Sequence, residues 1–517
     1  MRKTIFYPVL FAINPILLLF SANVSDIPLS EIFPSIAITP LICGGLYWLL
    51  TGLVKNNHRA GLITLLIEIW FFHYGTLLQV LPSLKVGATA ISSHWFLLPV
   101  WSFLFTLLGS SWIWKRVRRP DVITNFLNIL SVVLVMFSAG KVVLDVIPRY
   151  TQRPINNELL RDLPESIPPS SPDIYFIIVD GYARQDVLAE LYQFDNQPFI
   201  NELERRGFQV ASRSKSNYMQ TALSVASTLN MDYLNNINPA LPDRGQLIGQ
   251  ISHSQVRTIL EGYGYQIIAF SSGYLPTEIS DADLFLAPST ISHNYDLESL
   301  LAVNTIARPL FETGWLELPI SKYRTTQERI HLTFQTLTST PIIASPKFVF
   351  THLLIPHPPF IFAEGGPITP DEFYILADGE RLGASAEAYQ KGYNAQLQYT
   401  NNRILSTVDA ILASSDQPPI IIIQADHGPG LLLNTGSAAD TCHYERFSIL
   451  SAIYLPASQY RDIPEDLTAV NVFRLIFNIS YEATLEYLPD RQYYSTWNHP
   501  YQFIDVSDLT DNPCIAP

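Results

Sequence analysis

The sequence predicts a chain in two parts, with five transmembrane helices followed by an α/β domain built on a mostly parallel sheet. Two observations lead to this prediction. Five long apolar stretches lie within the first 147 of 517 residues, and apolar runs typical of buried strands alternate with helical segments in the remainder. The mean hydropathy of +0.16, with only 15% charged residues, excludes a disordered chain and argues against a purely cytosolic enzyme.

Each apolar stretch approaches the roughly 20 residues that are needed to cross the hydrocarbon core of a membrane. The stretches are residues 4–22, 33–54, 60–81, 93–114 and 122–144. A cleavable signal peptide would explain the first of them, because Arg2 and Lys3 precede it, but not the other four. A buried helical core is the alternative, and five such segments in 150 residues favour the membrane.

Basic residues predict the orientation of this membrane domain. Residues 1–150 carry 11 Lys and Arg against 5 Asp and Glu, whereas the rest of the chain carries 21 against 41. Lys and Arg cluster before the first span and in the loops at 55–59 and 115–119, and such loops face the cytoplasm. The N-terminus is therefore predicted to be cytoplasmic, and five spans place everything after Ile147 in an extracytoplasmic, periplasmic position.

The predicted domains are a transmembrane domain at 1–147, a stiff proline-rich linker at 148–172 and an extracytoplasmic catalytic domain at 173–517. For the segment 280–340, an ordinary subdomain and a lipid-facing lip both remain open. Cys442 and Cys514 could pair in an oxidising compartment, but their spacing does not decide this.

Strands and helices alternate through the second part of the chain. Strands are predicted at 173–180, 265–270, 347–353, 420–424 and 447–455, and helices within 183–206 and at 254–262 and 384–414. In α/β folds of this kind, functional groups gather at the carboxyl ends of the strands.

Acidic residues follow two of these predicted strands. Asp180 and Gly181 follow the first, and Asp426-His427-Gly428 follows the run IIIIQ. Carboxylate and imidazole groups are ligands of divalent cations, and two buried strands could direct them at one ion. The alternative is that Asp180 caps a turn and Asp426 caps a helix.

A candidate nucleophile lies between these motifs. The residues after Thr221 are helical in pattern, so the Thr221 hydroxyl would lie among free backbone N–H groups that favour an anion. Thr is also a common N-cap, so the motif is weak by itself. Combined with the carboxylates, it is interpreted as a metal-activated alkoxide nucleophile.

The order of the motifs resembles the alkaline phosphatase superfamily, in its sulfatase-like branch. A strand-ending acid (Asp180), a hydroxyl at a helix start (Thr221), a His-Pro segment at 352–360 (HLLIPHPPF) and Asp-His-Gly at 426–428 follow one another. With the five spans and the linker, the chain resembles lipoteichoic acid synthases and lipid A phosphoethanolamine transferases. The resemblance implies a sulfatase-like α/β sandwich with one divalent metal ion, zinc or manganese.

The resemblance also implies roles for individual residues. The metal ligands would be Asp180, Thr221, Asp426 and His427. Thr221 would attack phosphorus and carry a phospho-intermediate that a second alcohol or water resolves. The residues that would bind substrate phosphate or assist proton transfer are His357, His352, His443 and Asn217.

These substrate contacts have structural alternatives. His352 could be a core histidine of a strand, His443 part of a surface loop beside Glu445 and Arg446, and Asn217 a helix cap. Two departures from the family pattern argue against sulfatase chemistry and against a tightly bound second metal ion. Thr221 lacks the Cys-x-Pro-Ser-Arg context of sulfatases, and the segment 350–357 lacks the Asp of two-metal phosphodiesterases.

The sequence thus predicts a membrane-anchored phosphotransferase or hydrolase whose substrate is a lipid- or glycan-linked phosphate of the cell envelope. The first alternative is a phosphodiesterase or phosphatase with water as acceptor. The second is a non-catalytic envelope-assembly protein with a degenerate sulfatase-like domain. The net charge of −14 argues against nucleic acid as a partner.

Overall fold

The structure is a computed structural model. It describes residues 4–24, 27–80, 85–86, 89–90, 94–151, 159, 161–164, 167, 171–241, 243–288, 297–312, 322–368, 378–379, 385–459 and 461–514. The described residues divide into two compact units. The first unit draws on residues 1–148 and 292–321, and the second on 149–291 and 322–517.

Each of the five predicted apolar spans contains helix among its described residues. Its helices are Tyr7–Ala22, Ile32–Val54, Asn57–Phe72, Tyr74–Val80, His94–Ser102, Ser110–Lys115 and Pro120–Thr151, with a π-helical stretch at Phe103–Gly109. Three stretches, Leu29–Val54, His94–Lys115 and Pro120–Ile147, are long and apolar enough to cross a membrane, and Tyr7–Ala22 is a shorter apolar helix. Large apolar side chains such as Trp48 and Leu144 are exposed on these helices, as expected where lipid replaces water.

Polar side chains connect the first helix of this unit to the last. The Asn128 side chain accepts hydrogen bonds from the N–H groups of Phe6 (3.3 Å) and Tyr7 (3.1 Å). The Ser21 hydroxyl donates to Asp145 (2.7 Å) and accepts from Lys141 (2.6 Å). Polar groups between apolar helices need such partners, because the surrounding hydrocarbon offers none.

Residues 297–312 belong to the first unit, although they come from the middle of the predicted catalytic domain. The helix Leu297–Asn304 begins with a fully buried leucine whose N–H donates to Glu31 Oε2 (3.1 Å). The N–H of Ile306 donates to the carbonyl of Phe71 (2.9 Å). This segment, followed by the helix Arg308–Glu312, therefore packs beside Glu31, which precedes the helix Ile32–Val54, and beside Phe71, near the end of the helix Asn57–Phe72.

A seven-stranded sheet forms the centre of the second unit. Its strands are β1 (Ile174–Val179), β2 (Phe208–Val210), β3 (Gln266–Phe270), β4 (Leu284–Leu286), β5 (Lys347–Leu353), β6 (Ile420–Gln424) and β7 (Ser451–Tyr454). Their order is β2-β7-β6-β1-β5-β3-β4. Neighbouring strands from β6 to β4 pair in parallel, whereas β7 is antiparallel to both β6 and β2. The predicted mostly parallel α/β architecture is confirmed.

Helices cover both faces of the sheet. They are Gln185–Tyr192, Gln197–Arg205, Thr221–Asn230, Gln246–Ser252, Gln255–Gly262, Lys322–Leu337, Ala386–Ser414, His443–Phe447 and Val472–Tyr481. Alternate residues of β1 enter two different cores, Tyr175 and Ile177 on one face and Phe176 and Ile178 on the other. This alternation explains why β1 is apolar at every position.

Three two-stranded ladders also occur among the described residues, Lys85–Val86 with Thr89–Ala90, Phe362–Ala363 with Gly366–Pro367, and Tyr493–Tyr494 with Ile504–Asp505.

A buried ion pair joins β1 and β5 at the amino edge of the sheet. The Lys347 side chain is fully buried and its ammonium contacts the carboxylate of Asp173. That carboxylate also accepts from the Lys347 N–H (3.1 Å), and the ammonium donates to the carbonyl of Ile343 (2.9 Å). Both charges are therefore compensated only while the pair is intact.

Asp173→Leu should lower the free energy of unfolding by about 3–5 kcal/mol, because it leaves the Lys347 ammonium buried without its carboxylate. The double variant Asp173→Leu with Lys347→Met removes both charges and should recover most of that loss. Thermal unfolding of the detergent-solubilised full chain measures both. Equal losses in the single and double variants would contradict this account.

A disulfide closes the second unit. Cys442 and Cys514, whose pairing the sequence leaves open, are bonded, with their Cα atoms 5.9 Å apart and a separation of 72 positions in sequence. Cys442 also precedes the helix His443–Phe447, and its sulfur accepts from the N–H of Glu445 (3.4 Å). The disulfide thus anchors the C-terminal tail to the segment that begins this helix.

Cys514→Ser should lower the unfolding midpoint, because closing a loop of this length restricts the unfolded chain by about 4 kcal/mol. The thermal midpoint of the full chain, with and without a reductant, measures the effect. Reductant should lower the midpoint of the wild type toward that of Cys514→Ser and leave the variant unchanged. A wild type that is insensitive to complete reduction would rule out this stabilisation.

Candidate active site

The candidate site lies at the carboxyl edge of the sheet, where three neighbouring parallel strands end. Asp180 directly follows β1, His352 lies near the end of β5, and Asp426 and His427 follow β6. Because β1 lies between β5 and β6, these four side chains come together from positions far apart in sequence. The helix Thr221–Asn230 begins beside them, with Thr221 half-buried at its first position.

Three buried side chains form a cluster that fits a metal ion. Asp180, His352 and Asp426 each offer a ligand atom, and these atoms lie within 4.8 Å of one another. Oδ1 of Asp180, Oδ2 of Asp426 and Nε2 of His352 are buried and have no hydrogen-bond partner among the described residues. Two buried carboxylates repel each other, and a divalent cation with oxygen and nitrogen ligands would remove the repulsion.

His427 connects this cluster to the candidate nucleophile. Its Nε2 lies 3.0 Å from Thr221 Oγ1, 3.2 Å from Asp426 Oδ2 and 3.6 Å from Asp180 Oδ1. Its Nδ1 lies 2.9 Å from the carbonyl of Gly428, which can only accept, so Nδ1 carries a proton. Burial lowers the pKa of His427, so the imidazole is neutral and the lone pair of Nε2 faces the site.

His352 lies with the two carboxylates. Its Nδ1 lies 2.8 Å from Thr277 Oγ1, and the Thr277 hydroxyl donates to the carbonyl of Tyr274 (3.1 Å). When the hydroxyl accepts from Nδ1, the lone pair of Nε2 faces Asp180 Oδ2, 3.4 Å away. In this tautomer His352 has the orientation of a metal-binding histidine.

Glycine is required at two of the strand ends. Gly181 has a positive φ of 70°, and its N–H donates to Asp426 Oδ1 (3.2 Å), which links the ends of β1 and β6. A Cβ at Gly428 would lie 2.0 Å from the carbonyl oxygen of Glu445. These glycines therefore allow the two acidic loops to approach each other and the helix behind them.

His357 adds a positive charge beside the cluster. Its backbone N–H donates to the carbonyl of Asp180 (3.0 Å), and its ring centroid lies 6.2 Å from that of His427. Nδ1 donates to the carbonyl of Pro358 (2.6 Å), and Nε2 lies 3.3 Å from Asp378 Oδ2. Burial opposes protonation, but the charges of Asp180 and Asp378 outweigh it and raise the pKa of His357 to about 10. A partly exposed imidazolium of this kind suits contact with a phosphate.

Asp378 is a site residue that the sequence analysis does not identify. The Tyr389 hydroxyl donates to its Oδ1 (2.8 Å), and a Cβ at Gly430 would lie 2.7 Å from its side chain. Burial opposes its ionisation, but the positive charge of His357 outweighs burial and lowers the pKa of Asp378. Asp378 follows no predicted strand, and the glycine at 430 is the one sequence signal that points to a close neighbour.

Asn217 is buried but its polar atoms are occupied elsewhere. Its amide nitrogen donates to the carbonyl of Arg491 (2.9 Å) and to the Tyr233 hydroxyl (3.2 Å). Its Oδ1 accepts from the N–H of Val470 (2.8 Å). In this arrangement Asn217 joins three loops and does not face the metal-binding cluster.

His443 is buried in a separate aromatic environment. Its ring centroid lies 6.0 Å from those of Phe447 and Tyr494. Burial lowers the pKa of His443. No hydrogen bond or ion pair joins it to the other predicted site residues within the described part of the chain.

No family model and no curated protein matches the sequence. Among solved structures, similar ones include the zinc complex of the C-terminal periplasmic domain of EcEptC from Escherichia coli (11% identity, 66% of this chain, 96% of that chain, TM-score 0.44). Integral membrane lipooligosaccharide phosphoethanolamine transferase A from Neisseria meningitidis is 12% identical over 92% of this chain and 95% of that chain (TM-score 0.39). The 2-O GAG sulfatase BT1596 is 15% identical over 61% and 72% (TM-score 0.39). These TM-scores lie below 0.5, so the geometry of the site itself must support any proposed chemistry.

Asp426→Asn should weaken metal binding by about 100-fold or more, because it removes a ligand charge from the cluster. The wild type should bind about one zinc or manganese ion and unfold at a higher temperature when the metal is added. The variant should unfold at the same temperature with and without metal.

Asp409→Asn is the matched control for this experiment, since Asp409 is an exposed carboxylate paired with Arg206. It should keep the metal-dependent shift of the wild type. A shift that persists in Asp426→Asn would mean that the metal binds elsewhere.

Proposed function

We propose that the chain is a membrane-anchored, metal-dependent phosphotransferase that acts on a phosphate ester through Thr221. The observation that carries this proposal is the 3.0 Å contact between Thr221 Oγ1 and His427 Nε2, beside the carboxylates of Asp180 and Asp426. A threonine hydroxyl is a weak nucleophile until a base or a cation activates it. The neutral imidazole of His427 lies against the hydroxyl, and the two carboxylates proposed to hold a cation lie beside that imidazole.

The residues proposed to hold the divalent ion, zinc or manganese, are Asp180, Thr221, Asp426 and His427, with His352 as a further ligand. When bound, the ion would lower the pKa of the Thr221 hydroxyl and neutralise charge on the phosphoryl group. The unpartnered buried atoms of Asp180, Asp426 and His352 support this assignment.

Nucleophilic attack, proton transfer and phosphoryl binding are then assigned to groups of this chain. Thr221 reacts as an alkoxide that has given its hydroxyl proton to solvent. Its oxygen forms a bond to phosphorus while the bond from phosphorus to the leaving alkoxide breaks, and His357 donates a proton to that leaving oxygen. Free N–H groups at the start of the helix Thr221–Asn230 hold the phosphoryl oxygens. In the second half, an acceptor hydroxyl gives its proton to His357 and displaces Thr221 from phosphorus.

We propose that the substrate is a lipid- or glycan-linked phosphate of the cell envelope. The apolar helices of the first unit support a membrane location, and the Cys442–Cys514 disulfide supports an oxidising, extracytoplasmic compartment for the second unit. Residues beyond 150 carry 21 basic against 41 acidic side chains. Because such a surface does not attract anions in general, the phosphate must be captured locally by the cation, His357 and the helix start.

The proposed organisation has five spans with a cytoplasmic N-terminus, residues 148–172 as linker and residues 173–517 as the extracytoplasmic part. Residues 297–312 support the orientation. They contact Glu31, in the loop between the first two predicted spans, which is predicted to lie outside the cytoplasm, and Phe71, in the second half of the third predicted span.

Thr221→Ala should reduce turnover by about 10³-fold or more, because it removes the hydroxyl that is proposed to form the phospho-intermediate. Thr221→Ser is the matched control and should retain measurable turnover. The assay uses full-length protein with zinc or manganese, vesicles of phosphatidylethanolamine or phosphatidylglycerol, and an added alcohol acceptor. Mass spectrometry of the lipids and of quenched protein detects products and phosphorylated Thr221.

The outcomes separate the candidate functions. Transfer to the alcohol identifies a transferase, whereas release of the free phosphorylated head group with or without alcohol identifies a phosphodiesterase or phosphatase that uses water. Full activity in Thr221→Ala would overturn the mechanism. A metal-loaded wild type without turnover would favour a non-catalytic role in envelope assembly.

A further inference from the structure

Arg446 is a buried guanidinium that contacts three separate parts of the candidate site. Its side chain is 3% exposed. Nε donates to the carbonyl of Met219 (2.8 Å), and Nη1 donates to the carbonyl of Gly428 (2.9 Å). Nη1 also reaches Asp378 Oδ2 at 3.5 Å. One side chain therefore connects segments that are more than 200 positions apart in sequence.

Each of these contacts leads directly to a group proposed to act in the reaction. Met219 lies two residues before the nucleophile Thr221. The Gly428 carbonyl also accepts the proton of His427 Nδ1, so the guanidinium and the imidazole share one acceptor. Asp378 is the carboxylate that faces His357 Nε2.

We propose that Arg446 is a positioning residue that holds the nucleophile and both imidazoles in one relative geometry. The inference rests on the proposed function of the site. The guanidinium touches none of the reacting atoms, and it acts through two carbonyls and one carboxylate. A displacement of about 1 Å at the reacting groups is enough to slow a reaction by about 100-fold.

The shape of the guanidinium suits this task. Its N–H groups diverge in one rigid plane, so a single side chain can serve acceptors on different segments at fixed angles. A lysine ammonium is a point charge on a flexible stem and cannot hold three separated acceptors in the same way.

The backbone of Arg446 is itself held close to the metal-binding loop. Its carbonyl accepts from the N–H of Gly428 (2.7 Å), and Cys442 anchors the start of its short helix through the disulfide. The side chain and the main chain of Arg446 thus both bind Gly428. This double contact couples the helix to the loop that carries His427.

Arg446→Lys is the test, and Arg474→Lys is its matched control. Arg474 is also buried, at 6% exposed, and donates to the carbonyls of Met231 (2.7 and 3.0 Å) and Glu486 (2.6 Å). Neither Met231 nor Glu486 belongs to the site. Both variants therefore lose backbone contacts of a buried guanidinium, but only one loses contacts to the site.

Three quantities are measured on the full chain: the thermal midpoint, the affinity for zinc alone in competition with a chelator, and kcat and KM with the phospholipid vesicles that the wild type turns over. Arg446→Lys should weaken zinc binding by about 10- to 100-fold and lower kcat by about 100-fold, with KM changed less than about threefold. Arg474→Lys should shift the midpoint comparably and leave zinc affinity and kcat at wild-type values.

Equal changes in both variants, or wild-type zinc affinity and kcat in Arg446→Lys, would overturn the positioning role. If Arg446→Lys does not fold, Arg446→Met, which keeps the aliphatic volume, is measured against Arg474→Met with the same expectations. Absence of turnover in the wild type would overturn the proposed function alone, since the zinc measurement still tests Arg446.

Discussion

Two buried carboxylates at the ends of adjacent parallel strands are the constraint on which the second unit depends. Asp180 and Asp426 would repel each other in a dry environment unless positive charge or donors surround them. Gly181 supplies a backbone N–H to Asp426, and His352 and His427 point their Nε2 atoms inward. The α/β fold makes this cluster possible because β1 lies between β6 and β5 in the sheet, so the ends of all three strands are neighbours.

A second set of buried groups surrounds this centre and alternates in charge. The imidazolium of His357 faces Asp378, Asp378 faces Arg446, and Arg446 returns to the carbonyl beside His427. Each charged side chain lies next to one of opposite charge, so the set can be buried together, whereas a single unpaired member would be costly to bury. Because the members come from different loops, the set also restricts how those loops can move independently.

Local apolar patterns predict much of the sheet and its limits. Strands β5 and β6 have the predicted bounds, and both are buried along their whole length, as the apolar residues that dominate them require. Strands β2 and β4 are not predicted, because three residues are too few to show a period. The antiparallel direction of β7 is likewise not predicted, since a hydrophobic pattern is the same in both directions. The placement of residues 297–312 with the helical unit depends on contacts with residues more than 200 positions away, which local patterns do not contain.

The sequence by itself determined which carboxylates and imidazole follow the central strands and which hydroxyl begins a helix, because strand ends and helix starts are marked locally by Asp180, Thr221 and Asp426-His427. Only the tertiary structure decided that His352 joins the carboxylates and that Asn217 and His443 do not. Only it revealed Asp378 and Arg446. The physical reason is that these side chains meet through strand order and loop packing, and hydrogen bonds across hundreds of residues leave no periodic signal in the chain.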